Sequence, residues 1–360
     1  MKLALVGGGT GGHIIPALAV AKELHVGSVT ATDKLFFIGD KSKMTEQLVR
    51  EAGLKFYSIP SGKLRRYFAW ETFGDFFKII AGFFRSLFIL MREKPDVLFS
   101  KGGYVSVPVA MTAWAFRIPV ITHESDLVPG LATRIISKFA KKVCVAFRES
   151  EKYFPGKAVF TGNPVRKEIL AGNKNIGYKL TGFSDKLPVL LVMGGSLGAK
   201  SINEALLQIL PELNKSVQVV HITGKHALDY KHPNYFSAEF LGSELKDIYA
   251  ISDLVVARAG AGTLFELAAV AKPSILIPLG PPASRGEQIK NAEIFAQQGA
   301  AVVIPQAEIT PERLLQEIHD LLSDQTKRID LAQKIKTFAN PKTLQLIIKL
   351  IQDEMEVFSL

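Results

Sequence analysis

The chain contains two apolar runs that are each followed at once by a glycine-rich turn and then by a helical pattern. Residues 3–6 precede the run GGGTGGH at 7–13, and residues 188–193 precede GGSLG at 194–198. Glycines in such a turn let the backbone approach a phosphate closely, or let it pack tightly against a neighbouring element. A strand, a glycine turn and a helix in this order open a parallel α/β sheet, so the sequence predicts two such sheets.

Short β-branched runs alternate with helical patterns along the chain, which is typical of parallel sheets covered by helices on both faces. The expected strands of the first half are residues 2–6, 35–38, 97–99, 120–122, 142–146 and 158–160. The pattern begins again after Pro188, with expected strands at 189–193, 217–222, 254–257, 274–278 and 301–304. The predicted fold class is therefore α/β, with two Rossmann-like domains.

The length of 360 residues also favours more than one domain, because single α/β cores are usually smaller. We expect a first domain over residues 1–162, a second over 163–338, and a C-terminal helical tail over 339–360. Ligands of such sheets bind beyond the carboxyl ends of the strands. Two domains facing each other would therefore place a binding cleft between them.

The composition restricts the class of protein. Hydrophobic residues make up 48% of the chain and charged residues 22%, which is typical of a folded protein. The only cysteine is Cys144, so disulfides and a cysteine zinc site are excluded and a reducing cytoplasm is favoured. The apolar run at 3–6 is too short for a secretory signal. The net charge of +10 indicates an anionic partner, whether nucleic acid, phosphorylated metabolite or acidic lipid surface.

The first glycine turn admits several interpretations. Gly7, Gly9 and Gly12 satisfy G-x-G-x-x-G, and Asp40 stands where a dinucleotide enzyme has its ribose-binding acid. This pattern predicts a nicotinamide or flavin oxidoreductase, or a turn that serves packing alone. It does not explain His13, which lies at the positive end of the following helix. That end disfavours the protonated ring, so His13 is either a neutral base or a residue that caps the turn.

The second glycine turn fits the nucleophile elbow of serine hydrolases, with Ser196 as nucleophile and Asp253 and His319 as its partners. It fits equally a phosphate site, in which helix N-terminal amides and the Ser196 hydroxyl hold a pyrophosphate. The phosphate interpretation is favoured because it explains both glycine turns, whereas the hydrolase interpretation leaves the first without a role.

A third glycine turn, RAGAGTLFE at 258–266, follows the strand at 254–257. Thr263 and Glu266 match the capping box of a helix N-terminus. Alternatively, Glu266 accepts the two hydroxyls of a ribose, since the paired oxygens of a carboxylate suit a vicinal diol. Farther along, Glu287 and Gln288 are candidates for binding sugar hydroxyls or are ordinary loop residues.

These motifs occur together in one known family. The matching segments are GTGGH at 9–13, GGYVS at 102–106, His123-Glu124, GNPVR at 162–166, GGSLGA at 194–199, GAGT at 260–263 with Glu266, Gln288, and Asn291-Ala292. With them, nearly the whole chain resembles the MurG family of peptidoglycan glycosyltransferases. The resemblance implies a GT-B architecture and transfer of N-acetylglucosamine from UDP-N-acetylglucosamine to lipid I. The expected anionic partners are then this UDP-sugar, lipid I and the membrane surface, and nucleic acid is no longer expected.

The resemblance implies roles for individual residues. The muramyl 4-hydroxyl is expected to be deprotonated by His13 or, as second choice, by Glu124, with inversion at the sugar. Arg166 and Ser196 are expected at the nucleotide phosphates, Glu266 at the ribose, Gln288 at the sugar and the backbone of Leu241 and Gly242 at the uracil. The other expected substrate contacts are Thr10, Gly11, Gly12, Asp126, Ala261, Gly262, Thr263, Leu264 and Phe265. No Asp-x-Asp cluster is present, so neither a metal nor a cofactor is expected.

One segment departs from the family pattern. The family usually has His-Glu-Gln-Asn, whereas this chain has His123-Glu124-Ser125-Asp126. Asp126 therefore stands where the resemblance implies an asparagine that contacts the donor. An aspartate accepts the same hydroxyl proton but cannot donate as an amide does.

Residues 64–94 are predicted to form a helix that carries a broad apolar set and several cations. Charges interrupt the apolar run, so it is not expected to span a bilayer. Because lipid I lies in a membrane, an in-plane contact with the anionic inner membrane is expected, on its cytoplasmic side; packing in the core is the alternative. The expected membrane contacts are Trp70, Phe73, Phe77, Lys78, Ile80, Phe84, Arg85 and Trp114.

Overall fold

The computed structural model describes residues 2–26, 35–62, 70–194, 198–225, 229–281 and 284–356. They form two compact units, one of residues 1–164 with 341–360 and one of residues 165–340. Each unit is built on a purely parallel sheet. The predicted class of α/β with two Rossmann-like domains is confirmed.

The first unit contains a seven-stranded sheet. Its strands are β1 (Leu3–Val6), β2 (Leu35–Gly39), β3 (Lys55–Ser58), β4 (Val97–Ser100), β5 (Val120–Glu124), β6 (Lys142–Val145) and β7 (Ala158–Phe160). Its helices are α1 (Gly11–Val26), α2 (Lys43–Glu51), α3 (Trp70–Glu93), α4 (Ser106–Ala115) and α5 (Leu131–Phe139). The strand order is β3-β2-β1-β4-β5-β6-β7. The chain therefore reverses direction across the sheet between β1 and β4.

The second unit contains a six-stranded sheet of order β10-β9-β8-β11-β12-β13. Its strands are β8 (Val189–Met193), β9 (Gln218–Ile222), β10 (Tyr235–Ala238), β11 (Leu254–Ala257), β12 (Ser274–Leu276) and β13 (Val302–Val303). Its helices are α6 (Lys174–Thr181), α7 (Lys200–Leu213), α8 (Leu245–Ile251), α9 (Ala261–Ala269), α10 (Glu287–Gln297), α11 (Pro311–Ser323) and α12 (Gln325–Lys336). Here the reversal lies between β8 and β11.

Alternating side chains of β1 explain why the first sheet is covered on both faces. Leu3 and Leu5 join one buried cluster, and Ala4 and Val6 join another on the opposite face. All four side chains are fully buried. A strand that is buried on both faces reads as a continuous apolar run, which is why the sequence reveals it.

The last helix, α13 (Thr343–Glu356), packs in the first unit and not in the second. Its side chains Leu344, Ile347 and Ile351 join the buried cluster that contains Ile14 of α1. The Thr343 hydroxyl also donates a hydrogen bond to the carbonyl of Thr161 at 2.8 Å. The C-terminal segment thus completes the core formed by the N-terminal residues.

The edge strands β3 and β10 were not predicted from the sequence. Their side chains are mostly exposed or half-buried, so neither strand has the continuous apolar pattern of a central strand. The predicted strands at 274–278 and 301–304 are shorter in the structure, at Ser274–Leu276 and Val302–Val303.

Candidate active site

The first glycine turn lies at the point where the first sheet reverses, a usual ligand-binding position in such sheets. Gly9 has a φ of +87°, and a Cβ there would lie 2.8 Å from the ring of Tyr104. Only glycine fits this position without displacing the tyrosine. The exposed Thr10 and Gly12 lie at the N-terminus of α1 with the buried Gly11.

Asp40 has a structural role beside this turn. One of its carboxylate oxygens accepts from the backbone N–H of Gly9 at 3.3 Å. The other accepts from the hydroxyls of Ser42 and Thr45 at the start of α2. Both oxygens hold the protein's own loops, so the ribose role on which the oxidoreductase alternative depends is not supported.

His13 is the third residue of α1 and is half-buried. Its Nδ1 lies 3.1 Å from the backbone carbonyl of Lys101, just after β4. Since a carbonyl only accepts, Nδ1 carries a proton, and Nε2 is the nitrogen that is basic whenever the ring is neutral. Gly103, with a φ of +81°, lies under the ring, and a Cβ there would be 3.2 Å from it. The His13 ring is therefore held by the loop that follows β4. This is not the alternative role, in which His13 caps its own turn.

Glu124 ends β5 and is buried. Its two carboxylate oxygens accept from the backbone N–H groups of Asp126 and Gly130 at 3.0 and 3.1 Å. This arrangement holds the loop that carries Asp126, which is half-buried. Both Glu124 oxygens thus accept from the backbone of its own loop.

Lys101, which was not predicted from the sequence, follows β4 and is only 1% exposed. Its Nζ contacts His123 Nδ1 at 2.8 Å, the Ser125 hydroxyl, and Asn163 Oδ1 at 3.3 Å. Burial lowers the pKa of Lys101 to about 8, against the opposing effect of the Glu124 and Asp126 carboxylates. The sequence feature that could have identified Lys101 is its position directly after the apolar run VLFS at 97–100.

The second candidate region lies at the start of α9. Gly260 is the N-cap residue and makes no side-chain cap hydrogen bond. Thr263 therefore lies inside the helix, and the capping-box alternative for Thr263 and Glu266 is wrong. The first turn, formed by Ala261, Gly262 and Thr263, presents its amides as an anion-binding helix terminus does. Leu264 and Phe265 have buried side chains, so any ligand contact there would use their backbone.

Glu266 lies one turn into α9 and pairs with Arg166. Arg166 Nη2 is 3.2 Å from Glu266 Oε1, and the two side chains are 30% and 15% exposed. Burial raises the pKa of Glu266, while Arg166 and the hydroxyl of Tyr249 lower it. The buried Nε of Arg166 has no partner among the described residues. The pair thus combines a carboxylate with a guanidinium that retains donor capacity.

The remaining predicted donor contacts differ in their surroundings. The Gln288 oxygen accepts from the Leu279 N–H at 3.0 Å, which leaves its NH₂ group as the donor for a ligand. Leu241 is buried, and the Gly242 N–H donates to Glu244 at 3.0 Å. Ser196 lies outside the described residues.

The hydrolase alternative fails on the position of Asp253. It precedes β11, and its carboxylate accepts from the N–H of Val189, the first residue of β8, at 2.8 Å. Gly194, the first residue of the glycine turn, follows the other end of β8. Asp253 therefore lies at the opposite end of β8 from the glycine turn that would have to carry the nucleophile.

An exposed apolar face runs along α3. Phe77, Ile80, Phe84, Phe88 and Met91 recur every three or four residues and are all exposed, Phe84 by 61%. Trp114, at the end of the packed helix α4, is 58% exposed and contacts Phe139. We call these six residues the α3 face. The side chains of Trp70 and Phe73 lie outside the described residues.

Cations lie beside the α3 face on the same helix. Lys78, Arg85 and Arg92 of α3 are exposed, and the Arg85 guanidinium lies 5.8 Å from the centre of the Phe88 ring. Arg85 and Lys41 also line a cavity of about 380 Å³ with Ser58, Pro60 and Ala81. None of the helices in the described ranges is both long and apolar enough to cross a membrane. Nor do the described residues include three or more His, Cys, Asp or Glu grouped to hold a metal ion.

Two domain models match the chain: the glycosyltransferase family 28 N-terminal domain over residues 3–145, and the C-terminal domain of the same family over 189–349. Proteins from Lachnospira eligens and Clostridium botulinum are both 41% identical to the chain. The alignments cover 98% and 97% of this chain and 99% and 98% of theirs. Both are named UDP-N-acetylglucosamine--N-acetylmuramyl-(pentapeptide) pyrophosphoryl-undecaprenol N-acetylglucosamine transferase.

A solved structure extends this similarity to three dimensions. The crystal structure of Acinetobacter baumannii MurG matches with a TM-score of 0.74 at 29% identity, over 98% of this chain and 100% of that one. The oxidoreductase alternative finds no support in these relatives. The chain is a glycosyltransferase and belongs to glycosyltransferase family 28.

Proposed function

We propose that the chain transfers N-acetylglucosamine from UDP-N-acetylglucosamine to the 4-hydroxyl of the muramyl sugar of lipid I, forming lipid II. The observation that carries this proposal is 41% identity, over 98% of the chain, to a transferase named for this donor and acceptor. The orientation of His13 and the Arg166–Glu266 pair supply groups that this reaction needs.

The proposed chemistry is a single displacement with inversion at the anomeric carbon. The muramyl 4-oxygen bonds to C1 of N-acetylglucosamine as the bond from C1 to the UDP oxygen breaks. The hydroxyl proton passes to Nε2 of His13, and UDP leaves with the electron pair. His13 suits this role because its Nδ1 is engaged by the Lys101 carbonyl, and a positioned imidazole is an effective general base.

The proposed donor site uses residues of the second unit. The ribose hydroxyls donate to Glu266, and the Arg166 guanidinium contacts the nucleotide's phosphates. The first-turn amides of α9, and the turn of Ser196, supply further donors for the pyrophosphate. Such donors stabilise the charge that develops on a departing diphosphate.

We further propose that the protein binds peripherally to the cytoplasmic side of the inner membrane through the α3 face. A row of large apolar side chains with cations beside it is the pattern of an in-plane contact with anionic lipid. The cavity lined by Lys41 and Arg85 adds one more cation, Lys41, next to α3. The undecaprenyl chain in the proposed acceptor explains why such a contact would serve the reaction.

The test of the transfer is a coupled assay with labelled UDP-N-acetylglucosamine and a lipid I analogue. We expect a β-linked disaccharide product and one UDP for each sugar transferred. Release of UDP without a disaccharide, or no affinity for UDP-N-acetylglucosamine in calorimetry, would contradict the proposal.

A further inference from the structure

Lys101 joins the ends of three strands through one buried ammonium group. It follows β4 and contacts His123 on β5, Ser125 just beyond β5, and Asn163 beyond β7. His123 Nε2 donates to the carbonyl of Gly162 at 2.9 Å, so His123 Nδ1 accepts the hydrogen bond from Lys101. Ser125 also donates to Asn163 Oδ1 at 3.0 Å. The ammonium is thus fully enclosed by acceptors.

A buried cation requires a nearby negative charge. Burial and Lys101 lower the pKa of His123 well below its usual value, so His123 is neutral. Glu124 and Asp126 supply the charge, because both carboxylates act to raise the pKa of Lys101. Glu124 is itself hydrogen-bonded to the N–H of Asp126 at 3.0 Å.

The departure of this chain from its family lies at this cluster. Ser125 and Asp126 stand where the family usually has glutamine and asparagine. Here Ser125 accepts from Lys101 and Asp126 balances its charge. Both departures therefore lie beside the same lysine. The carbonyl of the same lysine orients His13 at 3.1 Å.

We propose that Lys101 is a positioning residue for sugar transfer, whose ammonium balances Asp126 and holds the 123–126 segment while its carbonyl orients His13. The inference rests on the proposed function, because Asp126 matters to turnover only if it contacts a substrate. Lys101 itself touches no reacting atom. Its removal takes one positive charge from beside the Asp126 carboxylate, which then repels the anionic donor more strongly. It also removes the hydrogen bonds that Nζ makes to His123, Ser125 and Asn163.

The test is a double-mutant cycle of Lys101→Met and Asp126→Asn, with kcat and KM measured for UDP-N-acetylglucosamine and a soluble lipid I analogue. Lys101→Met is expected to lower kcat/KM at least about ten-fold, since a strongly coupled charge is lost. The double variant is expected to recover at least about ten-fold relative to the product of the two single losses. Independent effects that simply multiply, or wild-type kinetics in Lys101→Met, would overturn the inference.

Two controls separate this role from simple stabilisation. Lys272 of the second unit is a partly buried lysine whose Nζ donates to the Ser252 carbonyl and whose pKa burial also lowers. Lys272→Met is expected to change thermal stability without coupling to Asp126→Asn. Calorimetric binding of UDP-N-acetylglucosamine to the wild type separates failure of the inference from failure of the proposed function.

The pH profile covers the case in which Lys101→Met does not fold. Among the described residues, the titratable groups around Lys101 are His13 on α1, His123 and Glu124 on β5, Asp126 just beyond β5, and Cys144 on β6. The pKa of Lys101 is about 8 and that of Cys144 about 12. Wild-type kcat should fall as pH rises through about 8, and the fall should be absent in the folded double variant. A wild-type kcat that stays constant from about pH 7 to 9.5 would also overturn the inference.

Discussion

The Arg166 guanidinium lies 3.2 Å from the Glu266 carboxylate, and its Nε is buried without a partner among the described residues. Glu266 projects from the first turns of α9, where the preceding helix terminus has no side-chain cap. A carboxylate for a diol, a guanidinium and helix amides for phosphates therefore occur together in one unit. This is the chemistry that a nucleoside diphosphate requires.

Glu266→Gln is expected to weaken UDP binding by about ten-fold, because an amide accepts hydroxyl hydrogen bonds less strongly than a carboxylate. The variant should also lose the preference for UDP over 2′-deoxy-UDP. Calorimetry with both nucleotides measures the two effects. Glu293→Gln is the control, since Glu293 forms an exposed pair with Lys290 on α10. A variant that keeps the ribose preference would remove Glu266 from the ribose site.

His13→Ala is expected to lower kcat by at least about a hundred-fold, as loss of a general base does. The Kd for UDP-N-acetylglucosamine should change less than about two-fold, since His13 is assigned to the acceptor and the proposed nucleotide contacts lie in the second unit. Single-turnover kinetics and calorimetry provide these values. His232→Ala, at an exposed position, is the matched control. Full turnover in His13→Ala would assign the base to another residue.

Phe84→Asp is expected to reduce binding to phosphatidylglycerol vesicles at least about ten-fold, because it removes a large apolar side chain and adds an unfavourable charge. Sedimentation with vesicles at low salt measures the binding. Ile329→Asp on α12 is the control, because Ile329 is also about half exposed but belongs to the second unit. Equal loss in both variants, or no binding of the wild type, would reject the α3 face as the membrane contact.

Glu93 provides a test of acid stability. Burial raises its pKa, but hydrogen bonds from Lys2, Lys55 and Tyr57 outweigh burial and lower the pKa to about 2. A depressed carboxyl pKa stabilises the fold above the unfolded value of 4.5, and this contribution is lost as pH falls toward 2. Glu93→Gln should therefore cost up to about 3 kcal/mol at pH 7.

Urea denaturation of wild type and Glu93→Gln between pH 7 and pH 3 measures this contribution. The difference in unfolding free energy should be constant above about pH 5 and shrink below it. Glu46→Gln is the control, since Glu46 forms an exposed pair with Arg50. A difference that does not depend on pH would mean that these contacts do not lower the pKa of Glu93.

Cys144 is expected to be inert in the folded protein. It is fully buried on β6, and burial raises the pKa of its thiol to about 12. Because the thiolate is the reactive form, labelling by a disulfide reagent at pH 8 should be at least about a hundred-fold slower in buffer than in urea. Rapid labelling of the native protein would contradict the burial of this strand.

Much of the site can be read from the sequence because local chemistry determines it. The glycine turns follow continuous apolar strands, and the residue types at 13, 166 and 266 suit a base, a phosphate ligand and a ribose ligand. Asp40 and Asp253 have residue types that suit the rejected functions equally well. Their actual hydrogen bonds, to Gly9 and Val189, depend on which strand ends are neighbours. Local pattern does not contain that information.

The sequence alone determined the alternation of buried strands and helices, because strands buried on both faces must be continuously apolar. Only the tertiary structure decided that Lys101 is a buried cation and that α13 completes the first core. Lys101 is enclosed by residues 22 to 62 positions away along the chain, and α13 packs more than 300 residues after the helix it covers. The cost of burying a charge or an apolar face depends on what surrounds it, and those surroundings exist only after the sheet has assembled.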